Sequence, residues 1–69
     1  MEAKINGKKI RELRNSSGLL IAHLSEEVDI SSRMLSRMES DESYNPGVLT
    51  LLKVAEFFNV LIDDLLIKE

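Results

Sequence analysis

Residues 20–39 read LIAHLSEEVDISSRMLSRME, two short amphipathic segments separated by a polar turn. In the first segment, about residues 20–27, the side chains expected to face inward are Leu24 and Val28, which recur at helical spacing. The residues Asp29–Ser31 follow as a tight turn. This stretch therefore predicts a short helix that ends abruptly.

The second segment, Ser32 to Glu39, begins after a residue that suits a helix N-cap. The hydroxyl of Ser31 can accept a hydrogen bond from a free backbone N–H of the first turn. Leu35 and Met38 are the apolar positions, and their spacing of three places both on one helical face. Two short helices joined by a tight turn in a small helical chain predict a helix-turn-helix motif.

The rest of the chain supplies apolar residues at the same helical intervals. Three further helices are predicted, within about residues 3–16, over about 48–58 and over about 62–67. The sequence lacks the alternation of apolar and polar residues that is typical of strands. Residues 1–69 therefore predict one compact all-α domain of five helices, with the helix-turn-helix at helices two and three, about residues 20–39.

The composition excludes several classes of protein. A chain of 69 residues allows one small domain, which buries only about 60% of the surface of its unfolded chain. The absence of cysteine excludes disulfides and cysteine zinc sites, and one histidine, His23, cannot form a histidine metal site. No apolar run approaches the ~20 residues of a membrane-spanning helix, and the first residues lack the apolar stretch of a signal peptide. Nothing in the sequence calls for a cofactor, and no nucleophile–base pair indicates an enzyme.

The net charge of −3 is unusual for a protein that binds nucleic acid, since such proteins are usually basic. The charge is divided unevenly along the chain. Residues 1–40 hold seven basic and six acidic side chains, whereas residues 41–69 hold two basic and six acidic ones. The first part is therefore +1 and the second −4, so the net charge does not exclude a DNA-binding face on the first part.

Further residues complete an ordered pattern that covers residues 7–66, nearly the whole chain. They are Gly7, Ile10, Leu13, Arg14, Gly18, Leu19, Leu24, Val28, Asp29, Ile30, Ser31, Met34, Leu35, Ser36, Arg37, Met38, Glu39, Pro46, Leu51, Leu52, Lys53, Val54, Ala55, Asn59, Val60, Asp63, Asp64 and Leu65. In residue type and spacing this pattern resembles the Cro/phage-repressor helix-turn-helix family, also called the XRE family. The resemblance implies a lambda-repressor-like DNA-binding domain.

In domains of this type the third helix enters the major groove of DNA, and its first residues face the base edges. The resemblance therefore implies base contacts from one side of helix three, namely from Ser32, Arg33, Ser36 and Arg37. It implies phosphate contacts from residues around this helix, namely from Lys8, Lys9, Arg14 and Ser31. Two of these have a structural alternative: Ser31 as a helix cap, and Arg14 as the partner of Glu39 in a pair that ties helix one to helix three.

The sequence departs from the family pattern where helix two begins. The family has a Ser or Thr cap followed by a DNA-contacting glutamine, and this chain has Leu20 and Ile21. Asp29 replaces the turn glycine, and a left-handed aspartate costs about 1 kcal/mol. Leu49 and Leu61 are aliphatic at two other normally polar positions. We expect such residues and the C-terminal segment to form a dimer or partner surface, made of Leu20, Ile21, Leu49, Leu61, Leu66 and Ile67.

The sequence therefore predicts a non-enzymatic, sequence-specific regulator of transcription. It is expected to bind a palindromic operator in double-stranded DNA as a homodimer, in the cytoplasm with the nucleoid and away from membranes. The alternative is a protein-interaction module, such as an antirepressor or co-regulator. Such a module would keep the helix-turn-helix scaffold, bind DNA weakly and grip a partner protein through Leu20 and Ile21.

Overall fold

The computed structural model describes residues 3–41 and 43–68. In chain order its elements are strand β1 (Ala3–Ile5), helices α1 (Gly7–Ser16), α2 (Ile21–Val28), α3 (Ser32–Ser40) and α4 (Val48–Phe58), a 3-10 turn (Ile62–Leu65) and strand β2 (Leu66–Lys68). The domain is lambda-repressor-like, and α2 and α3 form the predicted helix-turn-helix. The two strands bring the beginning and the end of the described chain together.

The turn between α2 and α3 is closed by a residue in the left-handed conformation. Asp29 has a φ of 55°, which confirms the left-handed conformation expected at this position. The next residue, Ile30, donates its N–H to the carbonyl of Ser25 at 3.3 Å. The hydroxyl of Ser25 donates in return to the carbonyl of Ile30 at 2.6 Å. These two bonds satisfy backbone groups that a helix end leaves free, and they fix the turn.

One apolar core joins all the helices. Among the described residues, its buried side chains are Ile5, Ile10, Leu24, Val28, Ile30, Leu35, Met38, Leu51, Val54, Ala55 and Leu65. The inward faces predicted for helices two and three are thereby confirmed. In the part of the chain that the structure describes, no helix is both long and apolar enough to cross a membrane.

Two expectations about secondary structure are wrong. The described residues form four α-helices instead of five, because the last predicted helix is only a 3-10 turn. The residues expected to extend it form β2, which pairs antiparallel with β1 and sets Leu66 opposite Ile5. The first helix accordingly begins at Gly7, after β1. Strands of three residues are too short to show the alternation by which a strand is identified in a sequence.

Helix α1 approaches the last turn of α3 closely. A Cβ placed on Gly7 would lie 2.7 Å from the carbonyl oxygen of Glu39 and would also overlap the carbonyl oxygen of Met38. Only glycine, which has no Cβ, permits this approach. Asn6 caps α1, since its side chain accepts the N–H of Lys9 at 3.1 Å. The start of α1 is thus placed directly against the end of α3.

Candidate nucleic-acid interface

Helix α3 has one buried and one exposed face. Leu35, Met38 and Glu39 are buried, and the helix packs on both α1 and α2. The opposite face carries the four residues for which base contacts are predicted, Ser32, Arg33, Ser36 and Arg37, and all four are exposed. The structure therefore gathers them into one strip on the outside of the helix-turn-helix, which we call the α3 strip.

The first turn of α3 is fixed by its cap. The side chain of Ser31 accepts the backbone N–H of Met34 at 3.1 Å, so the predicted cap is confirmed. Ser31 is itself exposed, as are Ser32 and Arg33. The partial positive charge of the helix N-terminus therefore faces solvent at one end of the α3 strip, where it favours an anion such as phosphate.

A two-point ion pair holds α3 against α1. Arg14 donates from Nε to Glu39 Oε2 at 2.6 Å and from NH2 to Glu39 Oε1 at 2.9 Å. Its third bond, from NH1, goes to the carbonyl of Leu19 at 2.9 Å. The side chains of Arg14 and Glu39 are only 12% and 2% exposed, and the hydrogen bond to Glu39 raises the pKa of Arg14. The structure thus shows Arg14 in its alternative, structural role, with its guanidinium directed inward instead of toward a phosphate.

A second arginine, Arg37, is held at the other end of the α3 strip. Its guanidinium carbon lies 4.4 Å from the centre of the Tyr44 ring, within the range of a cation–π contact. Its NH2 also lies 3.4 Å from Asp41 Oδ2. Arg33 has no such partner among the residues that the structure describes. The two arginines of the strip therefore differ: Arg37 contacts Tyr44 and Asp41, whereas Arg33 contacts no such group in the described part of the chain.

The two lysines expected to contact phosphate lie near the opposite end of α3 from its cap. Lys8 is exposed and lines a shallow pocket together with Ser40 and Asp41, beside the last turn of α3. A cation at this place is favoured by the partial negative charge of the helix C-terminus. Lys9 is half-buried. The structure thus puts Lys8 at the far end of the α3 strip from Ser31, and the phosphate contacts of both lysines stay predictions.

The start of α2 lacks the cap that the family pattern would provide. Leu20 occupies the N-cap position without a side-chain hydrogen bond, and its side chain is 65% exposed. Ile21 was expected to be exposed as well, but it is half-buried and packs against the core. The expectation of bare hydrocarbon on the surface is therefore correct for Leu20 and wrong for Ile21, because the first turn of α2 directs Ile21 inward.

The aliphatic residues with the highest exposed fraction lie on α4 and just after it. Leu49 is 76% exposed and Leu61 is 72% exposed, as their place on the predicted dimer or partner surface requires. Val48, which the sequence analysis did not name, is 70% exposed beside Leu49. Ile67 is partly exposed on β2, whereas Leu66 packs against the core because it pairs with Ile5. Leu66 is thus only half exposed, and its place on a dimer or partner surface stays a prediction.

Sequence reasoning also missed the contact between Arg37 and Tyr44. The structure packs Tyr44 against the core, which gives it one role. Its second role depends on the path of the loop between α3 and α4, which no periodicity indicates. The only signal in the sequence is an aromatic residue seven positions after an arginine of the third helix.

The fold and the α3 strip define a helix-turn-helix domain of the XRE type. The helix-turn-helix family matches residues 10–65, and the chain belongs to that family. The family is one of helix-turn-helix domains, in agreement with the resemblance on which the sequence prediction rests. The chain is also 33% identical over 57 residues to a protein of Methanocaldococcus jannaschii that is named as an HTH-type transcriptional regulatory protein. The match covers 83% of this chain but 18% of that protein, so the chain spans less than a fifth of its relative.

Solved structures show the same fold. The master regulator for biofilm formation SinR, in complex with DNA, has a TM-score of 0.80 at 26% identity, over 88% of this chain and 97% of that one. The N-terminal DNA-binding domain of SinR from Bacillus subtilis has a TM-score of 0.78 at 27% identity, over 86% of each chain. The restriction-modification controller protein C.AhdI from Aeromonas hydrophila has a TM-score of 0.75 at 24% identity, over 86% of this chain and 88% of that one.

Proposed function

We propose that the protein is a sequence-specific DNA-binding regulator of transcription that reads the major groove with the α3 strip. The observation that carries the proposal is the arrangement of α3. Its buried face is tied to α1 by Arg14 and Glu39, and its opposite face exposes Arg33 and Arg37 together with two serines. The likeness to SinR, whose structure contains DNA, supports DNA binding by this fold. Such a regulator would work in the cytoplasm, at the nucleoid.

The side chains of the α3 strip suit base reading. Arginine can donate two hydrogen bonds to the O6 and N7 atoms of guanine, which discriminates against other bases by about 1–3 kcal/mol. Arg33 and Arg37 are four residues apart and lie on successive turns, so they can reach neighbouring base pairs. Ser32 and Ser36 can hydrogen-bond to bases or phosphates. The free end of α3 at Ser31 adds a site for a phosphate.

We further propose that two copies bind a palindromic operator as a homodimer. The acidic second part of the chain gives little general attraction to DNA, so a single copy would bind weakly. Two copies would read half-sites about 34 Å apart, one helical turn of DNA. Val48 and Leu49 at the start of α4 and Leu61 just after its end are exposed apolar side chains that are available for the contact between copies.

The test of base reading compares binding to a preferred duplex and to a random duplex of equal length. The preferred duplex comes from selection out of a random pool. We expect Arg33→Ala combined with Arg37→Ala to abolish the preference. Lys53→Ala, which removes one positive charge on α4, serves as the matched control and should keep the preference. A wild-type protein that shows no preference at low salt would contradict the proposal.

The homodimer has a separate test. Sedimentation equilibrium of the wild type and of Leu49→Asp with Leu61→Asp should show a dimer only for the wild type, with or without operator DNA. A wild type that remains monomeric on its operator would contradict the dimer but not the reading of DNA by α3.

A second candidate function is that of a protein-interaction module, and the uncapped start of α2 favours it. Leu20 is 65% exposed at the place where the family pattern has a polar cap and a DNA-contacting glutamine. The module would grip a partner protein there. In this case Leu20→Ser should weaken partner binding, whereas an unchanged partner affinity would count against the module.

A further inference from the structure

The loop after α3 contains an aromatic residue placed against the α3 strip. The Tyr44 ring is half-buried and packs on the core, so its position is set by the fold. The guanidinium of Arg37 lies over that ring, with its carbon 4.4 Å from the ring centre. This cation–π contact restricts where the Arg37 guanidinium lies relative to the ring.

A carboxylate approaches the same guanidinium at its edge. Asp41 Oδ2 lies 3.4 Å from Arg37 NH2, which is a long contact. Asp41 is in turn fixed by Ser43, whose backbone N–H and hydroxyl donate to Oδ1 at 3.0 and 2.6 Å. Both bonds stabilise the carboxylate and lower the pKa of Asp41. Arg37 is therefore held by a ring on one face and by a fixed anion at one nitrogen.

This arrangement leaves donors free for a base. The N–H groups of a guanidinium lie in its plane, and stacking covers only the face. The guanidinium borders a shallow pocket of about 170 Å³, lined also by Ser31, Arg33, Met34 and Tyr44, on the outside of the helix-turn-helix. An arginine without such supports must be ordered when it binds, which costs part of the interaction free energy.

We propose that Tyr44 is a positioning residue for base recognition: its ring holds the Arg37 guanidinium in place, so that the loop between α3 and α4 contributes to the reading of bases. The proposal rests on the proposed function, in which Arg37 reads a base. It adds a specificity-determining residue outside the helix-turn-helix, and it distinguishes the supported Arg37 from the unsupported Arg33.

The experiment is a double-mutant cycle on DNA discrimination. The ratio of affinities for the preferred and the random duplex is measured for the wild type, Tyr44→Leu, Arg37→Ala and the double variant. Leucine retains apolar cover for the core, and thermal unfolding checks that each variant folds.

We expect Tyr44→Leu to lower the ratio of affinities about tenfold, within the range of one bidentate base contact. In the Arg37→Ala background it should have no further effect. Tyr44→Phe, which keeps the ring, is the matched control and should retain the ratio.

The outcomes separate this proposal from the proposed function. An unchanged ratio in Tyr44→Leu would overturn the positioning role while leaving DNA reading intact. An equal loss in the Arg37→Ala background would also overturn it, because Tyr44 would then act without Arg37. A wild type with no preferred duplex would overturn the proposed function and this role with it.

A second measurement, by NMR, needs no variant. The ring current of Tyr44 should shift the Arg37 Nε proton upfield of the Arg33 Nε proton. Equal shifts would contradict the stack.

Discussion

The Arg14 guanidinium faces the Glu39 carboxylate edge to edge, with two hydrogen bonds of 2.6 and 2.9 Å between them. This pair connects the last turn of α1 to the last turn of α3, where the carbonyl oxygen of Glu39 also lies against Gly7 at the start of α1. Because only arginine offers two parallel donors in a fixed plane, the pair sets both the distance and the angle between the helices. The α3 strip is thereby presented on a rigid support.

The first prediction concerns this pair. Glu39→Gln keeps the size of the side chain but leaves the largely buried Arg14 charge without its anion. We expect the free energy of unfolding to fall by about 3 kcal/mol, as is usual when one partner of a buried pair is removed. Urea denaturation measures the change. Glu12→Gln, an exposed carboxylate on α1, is the matched control and should change stability by less than about 0.5 kcal/mol. Similar losses in both variants would show that the pair has no special role.

The second prediction contrasts two glycines. Gly7→Ala places a methyl group against the carbonyl oxygens of Met38 and Glu39, so it should destabilise the domain by about 1–3 kcal/mol through overpacking. Gly18 has a φ of 71° and open space around it, so Gly18→Ala should cost about 1 kcal/mol through its backbone alone. Gly18→Asn should recover part of that loss, whereas Gly7→Asn should not recover any. A Gly7→Ala variant as stable as the wild type would exclude the close packing of α1 on α3.

The third prediction uses the uncapped start of α2. Leu20 has the extended backbone of an N-cap but no side-chain acceptor. Leu20→Ser should therefore raise the free energy of unfolding by about 1 kcal/mol, because its hydroxyl can accept an N–H of the first turn. Leu20→Ala removes the same apolar surface without adding a cap, and its stability should stay close to that of the wild type. Equal stabilities of the serine and alanine variants would refute the capping argument.

The fourth prediction concerns the ionisation of Asp41. Because the hydroxyl and N–H of Ser43 hold its pKa below the ordinary value of 3.8, the bonds of the ionised side chain stabilise the folded state above that pH. This contribution is lost as the pH falls through the lowered pKa of the folded state. Ser43→Ala should move the pKa of Asp41 upward toward 3.8, which carboxyl NMR titration measures. Ser40→Ala, whose hydroxyl bonds to the carbonyl of Ser36, should leave it in place.

The sequence predicts the parts of this domain that depend on local chemistry. The inward faces of α2 and α3 and the Ser31 cap follow from spacing or residue type, and the structure contains each of them. The left-handed conformation of Asp29 follows from the family resemblance, and the structure contains it as well. The Arg14–Glu39 pair follows only from the family resemblance, since its residues lie 25 positions apart.

The remaining features depend on contacts between distant segments. The strands pair the two ends of the described chain, and Leu66, which the sequence places on a surface, lies opposite Ile5 and is partly buried against the core. Ile21 is half-buried because the rest of the core lies beneath the first turn of α2. The stack of Arg37 on Tyr44 depends on the path of a loop. None of these can be identified from the spacing of residues along one segment.

The central claim is that Arg33 and Arg37, on the exposed face of α3, read the base sequence of DNA. The most direct measurement is selection of bound duplexes from a random pool, performed in parallel with the wild type and with the variant Arg33→Ala, Arg37→Ala. Our account predicts that the wild type enriches a palindromic motif containing guanine and that the variant enriches none. Enrichment of the same motif by both proteins, or of no motif by the wild type, would contradict it.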